Sequence, residues 1–168
     1  MKMSQQNYEE YILSNGDKTM IVEYSEALKE YVKTLNVEWL EKYFKVEEID
    51  VIQLSNPKEE IIDKGGIIFY AKYKGDVVGT ASLLRIDHIT YELGKMAVTQ
   101  SAQGLGIGKI LIDHSLKIAK RLGGKIVVLY SNKSLYAAIH IYKKYGFCEV
   151  ALESGHYERA NTKMEKLI

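Results

Sequence analysis

The sequence predicts one α/β domain with mixed α+β character: a central sheet of about seven strands, mostly antiparallel, flanked by helices and containing one parallel βαβ unit. Three observations predict it. Two β-rich runs, 67–74 (IIFYAKYK) and 77–86 (VVGTASLLRI), meet at Gly75-Asp76, a tight hairpin turn. A third such run (89–98) leads through a glycine-rich turn into an amphipathic helix, and then into the nearly all-apolar run 125–130 (KIVVLY). That last run suits a strand buried on both faces and parallel to its neighbour. At 168 residues, one domain is the natural expectation.

Taken in order, residues 1–17 are polar and tyrosine-spotted and read as an N-terminal arm. Residues 19–24 (TMIVEY) read as a first strand. Leu28, Tyr31, Val32, Leu35, Trp39, Leu40, Tyr43 and Phe44 recur at helical spacing after the capping Ser25, as one long helix or two with a break near Asn36. Asn56-Pro57 opens a short helix over 57–63, with proline in its first turn, and Gly65-Gly66 ends it. The 67–86 hairpin and the 89–98 strand follow, and Gly94 marks a bulge or a close backbone approach. Ile107, Leu111, Ser115, Ile118 and Leu122 form one stripe of the next helix, which stops at Gly123-Gly124. After 125–130 come a helix over 135–145 and a closing hairpin of 147–152 and 156–166 around Glu153-Ser154-Gly155.

Composition narrows the function. Hydrophobic residues at 46% and charged residues at 27% are ordinary for a globular chain. The net charge of +1, with no basic stripe, gives no footprint for nucleic acid. The single Cys148 leaves no internal disulfide framework and fits a reducing compartment. The start, MKMSQQNYEEY, lacks a signal-peptide core, and no apolar run is long enough to span a bilayer. A cytoplasmic protein with no membrane partner is expected. The histidines (His88, His114, His140, His156) lie far apart and away from the cysteine, so no metal site is expected.

The stretch 92–123 carries the chemistry. Gly104, Gly106 and Gly108 stand where a helix should begin. There, unobstructed backbone N–H groups and the positive end of the helix dipole suit a phosphate or pyrophosphate. A Walker A loop would need glycine at Gln103 and Ser or Thr at Ile110. A dinucleotide fingerprint would need a third glycine at Lys109 or Leu111. Neither fits. Gln103-Gly104-Leu105-Gly106-Ile107-Gly108 does match Q/R-x-x-G-x-G/A and resembles the acetyl-CoA pyrophosphate loop of the GNAT N-acetyltransferase superfamily. Residues 136–147 (YAAIHIYKKYGF) resemble the family's next helix, through Ala138, Ile141, Tyr142, Lys144, Gly146 and Phe147. ELGKMAV resembles its pantetheine-binding strand, and the order of elements matches from Thr19 to the C-terminus.

The resemblance implies a GNAT-like fold, with the βαβ unit at the cofactor site. It also implies acetyl-CoA (coenzyme A) as acetyl donor and transfer to a primary amine of a small molecule or peptide by direct attack in a ternary complex. The N–H groups of Gln103, Gly104, Leu105, Gly106, Ile107, Gly108 and Lys109 would hold the pyrophosphate. The backbone of Met96, Ala97 and Val98 would bind the pantetheine arm as a pseudo-strand, with an N–H near Ala97 facing the thioester oxygen. Tyr142 would protonate the leaving thiolate or hydrogen-bond its sulfur; packing is its competing role. Glu92 would act as general base, directly or through water, against the alternative of a plain carboxylate on a sheet rim. Asn132 resembles the family's pantetheine-contacting asparagine, although many members carry that asparagine at the place of Leu135.

The acceptor would enter between the first helices and the last hairpin, near Trp39, Tyr43, Phe44, Tyr157, Glu158 and Arg159. Cys148 is expected to be buried packing rather than an acyl carrier. Dimers are frequent in such enzymes, so a homodimer is one outcome. The rival from another class is a non-catalytic acyl-CoA-binding sensory or regulatory module.

Overall fold

The computed structural model describes residues 8–168. Strands are β1 (Tyr8–Ile12), β2 (Lys18–Glu23), β3 (Ile67–Tyr73), β4 (Asp76–Arg85), β5 (Thr90–Val98), β6 (Ile126–Ser131), β7 (Cys148–Val150) and β8 (Thr162–Leu167); helices are α1 (Lys29–Tyr43), α2 (Glu48–Ser55), α3 (Ile107–Arg121) and α4 (Tyr136–Lys144). All strands join one sheet in the order β1-β2-β3-β4-β5-β6-β8-β7, and only β5 and β6 run parallel.

Alternation along the strands sends side chains to two cores. Phe69, Leu83, Leu93 and Val127 face α3, whose Ile107, Leu111, Ile112 and Ile118 cover them. Ile68, Tyr70 and Leu84 point the other way, against Val32 and Leu40 of α1 and Leu54 of α2.

One irregularity shapes the middle of the sheet. Thr80 pairs with Ala97 and Ser82 with Gly94, so β5 carries one residue more than β4 across this step. The extra residue lies at Lys95-Met96, just past Gly94, and Lys95 adopts a left-handed φ of 49°. A non-glycine residue there costs on the order of 1 kcal/mol and persists only when its neighbours hold it. They do: the buried Asn36 of α1 donates to the Lys95 carbonyl at 3.1 Å. β5 pairs with β6 only from Thr90 to Glu92, whereas β6 stays paired with β8 as far as Ser131. Beyond Glu92 the two parallel strands part, and a cleft opens between them.

Several expectations change. The sheet has eight strands rather than about seven, because residues 8–12 of the expected arm form edge strand β1 on β2; residues 1–7 of that arm lie outside the described residues. α1 runs unbroken through Asn36, whose side chain bonds the Val32 carbonyl of its own helix and the bulge. α2 was not anticipated; Glu47 and Asp50 close a capping box at its start. Around Pro57, the expected helix is one wide turn, Lys58–Ile62. The last hairpin is shorter than expected, so 151–161 is a loop that folds back over the cleft. Cys148, expected buried, is exposed, because β7 is a short outer edge strand.

Candidate active site

The glycine turn follows β5 through one 3₁₀ turn at 100–102. Gly104 and Gly106 have φ of 86° and 89°, so here the left-handed backbone requires glycine. Gly106 is the N-cap of α3 and offers no side chain to its first N–H groups. A Cβ placed at Gly104, Gly106 or Gly108 would meet no protein atom within 4 Å, so the surface above the turn is open. The turn is fixed from behind: Ser14 N–H donates to the Leu105 carbonyl at 3.1 Å, and the Gln103 amide donates to the Val98 carbonyl at 3.2 Å. Leu105, Ile107 and Lys109 continue the turn into α3, and Ile107 is buried beneath it.

From Gln103 and Val98 a cavity of about 370 Å³ extends along the parting of β5 and β6. Met96, Ala97 and Val98 form one side, and Asn132, Ile141 and Tyr142 the other. Trp39, Phe44, Tyr157 and Arg159 close the far end. Most sequence-predicted residues therefore meet in one cleft. Tyr43 does not: it is 45% exposed, and its ring packs 5.5 Å from that of Trp39 on the outer side of α1.

Tyr142 stands on α4 with its ring edge-on to Phe147 at 6.0 Å. Burial pushes its phenol up to about 12, and no charged neighbour contributes. Asn132 is less free than the sequence suggested. Its amide nitrogen donates to the Arg159 carbonyl at 2.8 Å, and its oxygen accepts the Ser134 N–H at 2.9 Å. This tethers the 151–161 loop to the end of β6.

Glu92 is not on a sheet rim. It lies on an inner strand, 2% exposed, at the last residue pair before β5 and β6 separate. Both carboxylate oxygens face the loop. Tyr157 donates its hydroxyl to Oε1 at 3.0 Å, and His156 Nε2 lies 3.2 Å from Oε2. The His156 ring stacks on Tyr130 at 4.0 Å, and the Tyr130 hydroxyl in turn bonds Glu153. Burial first, and the Glu92 charge second, drive the Tyr157 phenol far above its ordinary value, so it remains a donor.

Beside this group lies an ion cluster built from three elements. Asp50 of α2, fully buried, receives the Lys95 ammonium at 3.1 Å and two Arg159 nitrogens at 2.6 and 3.0 Å. Arg159 also reaches Glu47 at 2.8 Å. Burial alone would raise the Asp50 carboxyl. The Arg159 bonds, the Lys95 charge and the Glu47 N–H outweigh it and hold it below its ordinary value. Burial depresses Lys95 despite Asp50. Sequence reasoning found Arg159 but missed Asp50, Glu47, Lys95 and His156. Lys95 alone left a signal, as the single cation inside the apolar strand ELGKMAV. Among the described residues, no cluster of three His, Cys, Asp or Glu side chains is arranged to hold a metal ion, and no helix is long and apolar enough to cross a membrane.

Comparison with known proteins gives concordant matches. The sequence model described as Acetyltransferase (GNAT) family matches residues 25–147. YvbK of Bacillus subtilis, an uncharacterized N-acetyltransferase, is 28% identical over 113 residues, 66% of this chain and 73% of that protein. A GNAT-family acetyltransferase structure from Staphylococcus aureus Mu50 superposes with a TM-score of 0.80 at 24% identity, over 89% of this chain and 98% of that one. A putative acetyltransferase from Salmonella typhimurium, solved with its cofactor acetyl-CoA, superposes with a TM-score of 0.69 at 19% identity, over 90% and 94%.

Proposed function

Because this chain belongs to the Acetyltransferase (GNAT) family, we propose that it transfers the acetyl group of acetyl-CoA to a primary amine by direct attack within the cleft between β5 and β6. The observation that carries this reading is the cleft itself. A turn of open N–H groups lies at one end, and a buried carboxylate with both oxygens held lies at the other.

The residues present fit the donor. The first N–H groups of α3 and the turn from Gln103 to Lys109 suit its pyrophosphate, because donors there are uncapped and unobstructed. Past Glu92, the β5 edge facing the cleft has no partner strand, so the backbone at Met96, Ala97 and Val98 can bond amides laid alongside it. Asn132 shapes the opposite wall through its hold on the Arg159 carbonyl. Bound there, the donor supplies an acetyl group already activated as a thioester. The protein's part is to position it and to manage protons.

An acceptor arrives as an ammonium ion and must shed two protons in becoming an amide. One leaves before attack, to free the nitrogen's electron pair; the sulfur departs with the equivalent of the other, and the net release is one proton to solvent. Glu92 serves the first step, directly or through a water, because its carboxylate lies in the cleft and is fixed by Tyr157 and His156. Tyr142 serves the sulfur, since its phenol lines the cleft and remains protonated. The bond formed is nitrogen to carbonyl carbon, and the bond broken is carbon to sulfur. Trp39 and Phe44 offer an apolar seat for the acceptor's body.

The test is thiol release from acetyl-CoA with a panel of primary amines, run beside calorimetry of acetyl-CoA binding. Turnover that falls at least about a hundredfold in Glu92→Gln, with acetyl-CoA affinity kept, is expected. Binding without thiol release from any amine would replace the enzyme with a non-catalytic acyl-CoA-binding module.

A further inference from the structure

Among the described residues, the carboxylates of the cleft wall are paired with Lys or Arg, with one exception. Lys95 and Arg159 are the cationic side chains lining the cavity, and both are turned onto Asp50, with Arg159 also on Glu47. Two cations thus face two carboxylates, and burial further weakens the hold of Lys95 on its proton. Glu92 differs. Its partners are the neutral Tyr157 hydroxyl and His156, an imidazole that carries charge only when protonated. The groups facing His156 are Glu92 from β5, the Tyr130 ring from β6 with its Glu153–Lys163 pair behind, and Tyr157 from the loop.

We propose that the site selects amines with no carboxylate near the reacting nitrogen, such as small alkyl or arylalkyl monoamines and diamines, and rejects free α-amino acids. This deepens the proposed acetyl transfer and rests on it. An ammonium ion entering the cleft pairs with Glu92, the wall carboxylate that, among the described residues, has no Lys or Arg nitrogen in ion-pair contact. A carboxylate attached to the α-carbon would be brought close to Glu92 with no spare cation to meet it. Like charges held together out of water cost enough to discriminate strongly. The apolar body of such an amine fits against Trp39 and Phe44, whose rings lie 5.6 Å apart.

The experiment compares each amine with its carboxylated twin: tyramine with tyrosine, phenethylamine with phenylalanine, and isobutylamine with valine. Thiol release gives kcat/KM for each. A preference of about tenfold or more for the amine of every pair that reacts is expected. Glu47→Gln leaves Arg159 with one carboxylate fewer while keeping a side chain able to cap α2, so the preference should shrink several-fold. Carboxylated acceptors reacting as well as the amines would overturn the proposal while leaving acetyl transfer intact. An unchanged ratio in Glu47→Gln would overturn its electrostatic basis. No thiol release with any acceptor would bring down the parent reading, and this one with it.

Discussion

Replacing Tyr142 by phenylalanine removes one hydroxyl from the cleft wall and leaves the ring against Phe147. The magnitude follows from the phenol's environment. Burial holds it at about 12, whereas an ordinary thiol ionises near 8.5. Complete transfer of its proton to a free thiolate would therefore run uphill by ~3.5 pH units, or ~5 kcal/mol. The useful contribution is a hydrogen bond to sulfur as negative charge grows there. A hydrogen bond to a charged group contributes about 1.5–3 kcal/mol, so kcat should fall about 10- to 150-fold in Tyr142→Phe. Acetyl-CoA affinity should change less than threefold by calorimetry, since the ground-state thioester sulfur is a weak acceptor. The pH profile gives a second check. The wild-type phenol stays protonated until pH rises through about 12, so no alkaline loss of activity below about pH 11 should disappear in the variant. Unchanged turnover would reduce Tyr142 to packing. A parallel loss of binding would mean that it holds the donor and does not assist departure.

Two further outcomes separate binding from scaffold. Gly106→Val places a branched side chain at φ 89° on the open surface of the turn. The backbone should lose about 1–2 kcal/mol of stability in denaturant titration, while acetyl-CoA binding falls beyond detection; retained tight binding would sink the pyrophosphate assignment. Asp50→Asn leaves Lys95 and Arg159 without their shared buried carboxylate and should cost about 3–5 kcal/mol by urea unfolding at neutral pH. Because the folded-state carboxyl is depressed, its stabilisation is present above the unfolded carboxylate value and is lost as pH falls through the folded one. That acid-range loss should be absent from the variant; its persistence would assign it to other groups.

The sequence and the tertiary structure divide this protein along a physical line. Features that depend on near neighbours were readable from the chain alone. They include the hairpin at Gly75-Asp76, the glycine turn that opens α3, and the Gly146 stop after α4. Each follows from periodicity, turn chemistry or spacing within about a dozen residues. Features that depend on distant segments were not. Nothing local to Asp50 distinguishes it from a surface acid in a short helix, and Lys95 reads as a lone cation on a strand. Only the fold brings them within 3.1 Å, across 45 residues of chain, and turns Arg159 onto the same carboxylate. The 151–161 segment looked like a tight hairpin, because its aromatic and charged residues could belong to a strand. Its pairing ends at Val150, and it crosses to Glu92 to supply Tyr157 and His156. The sequence by itself therefore marked the glycine turn as suited to a phosphate, since backbone geometry does that work. Tertiary contacts decided what surrounds Glu92 and Asp50, because charge pairing across elements has no signature along the chain.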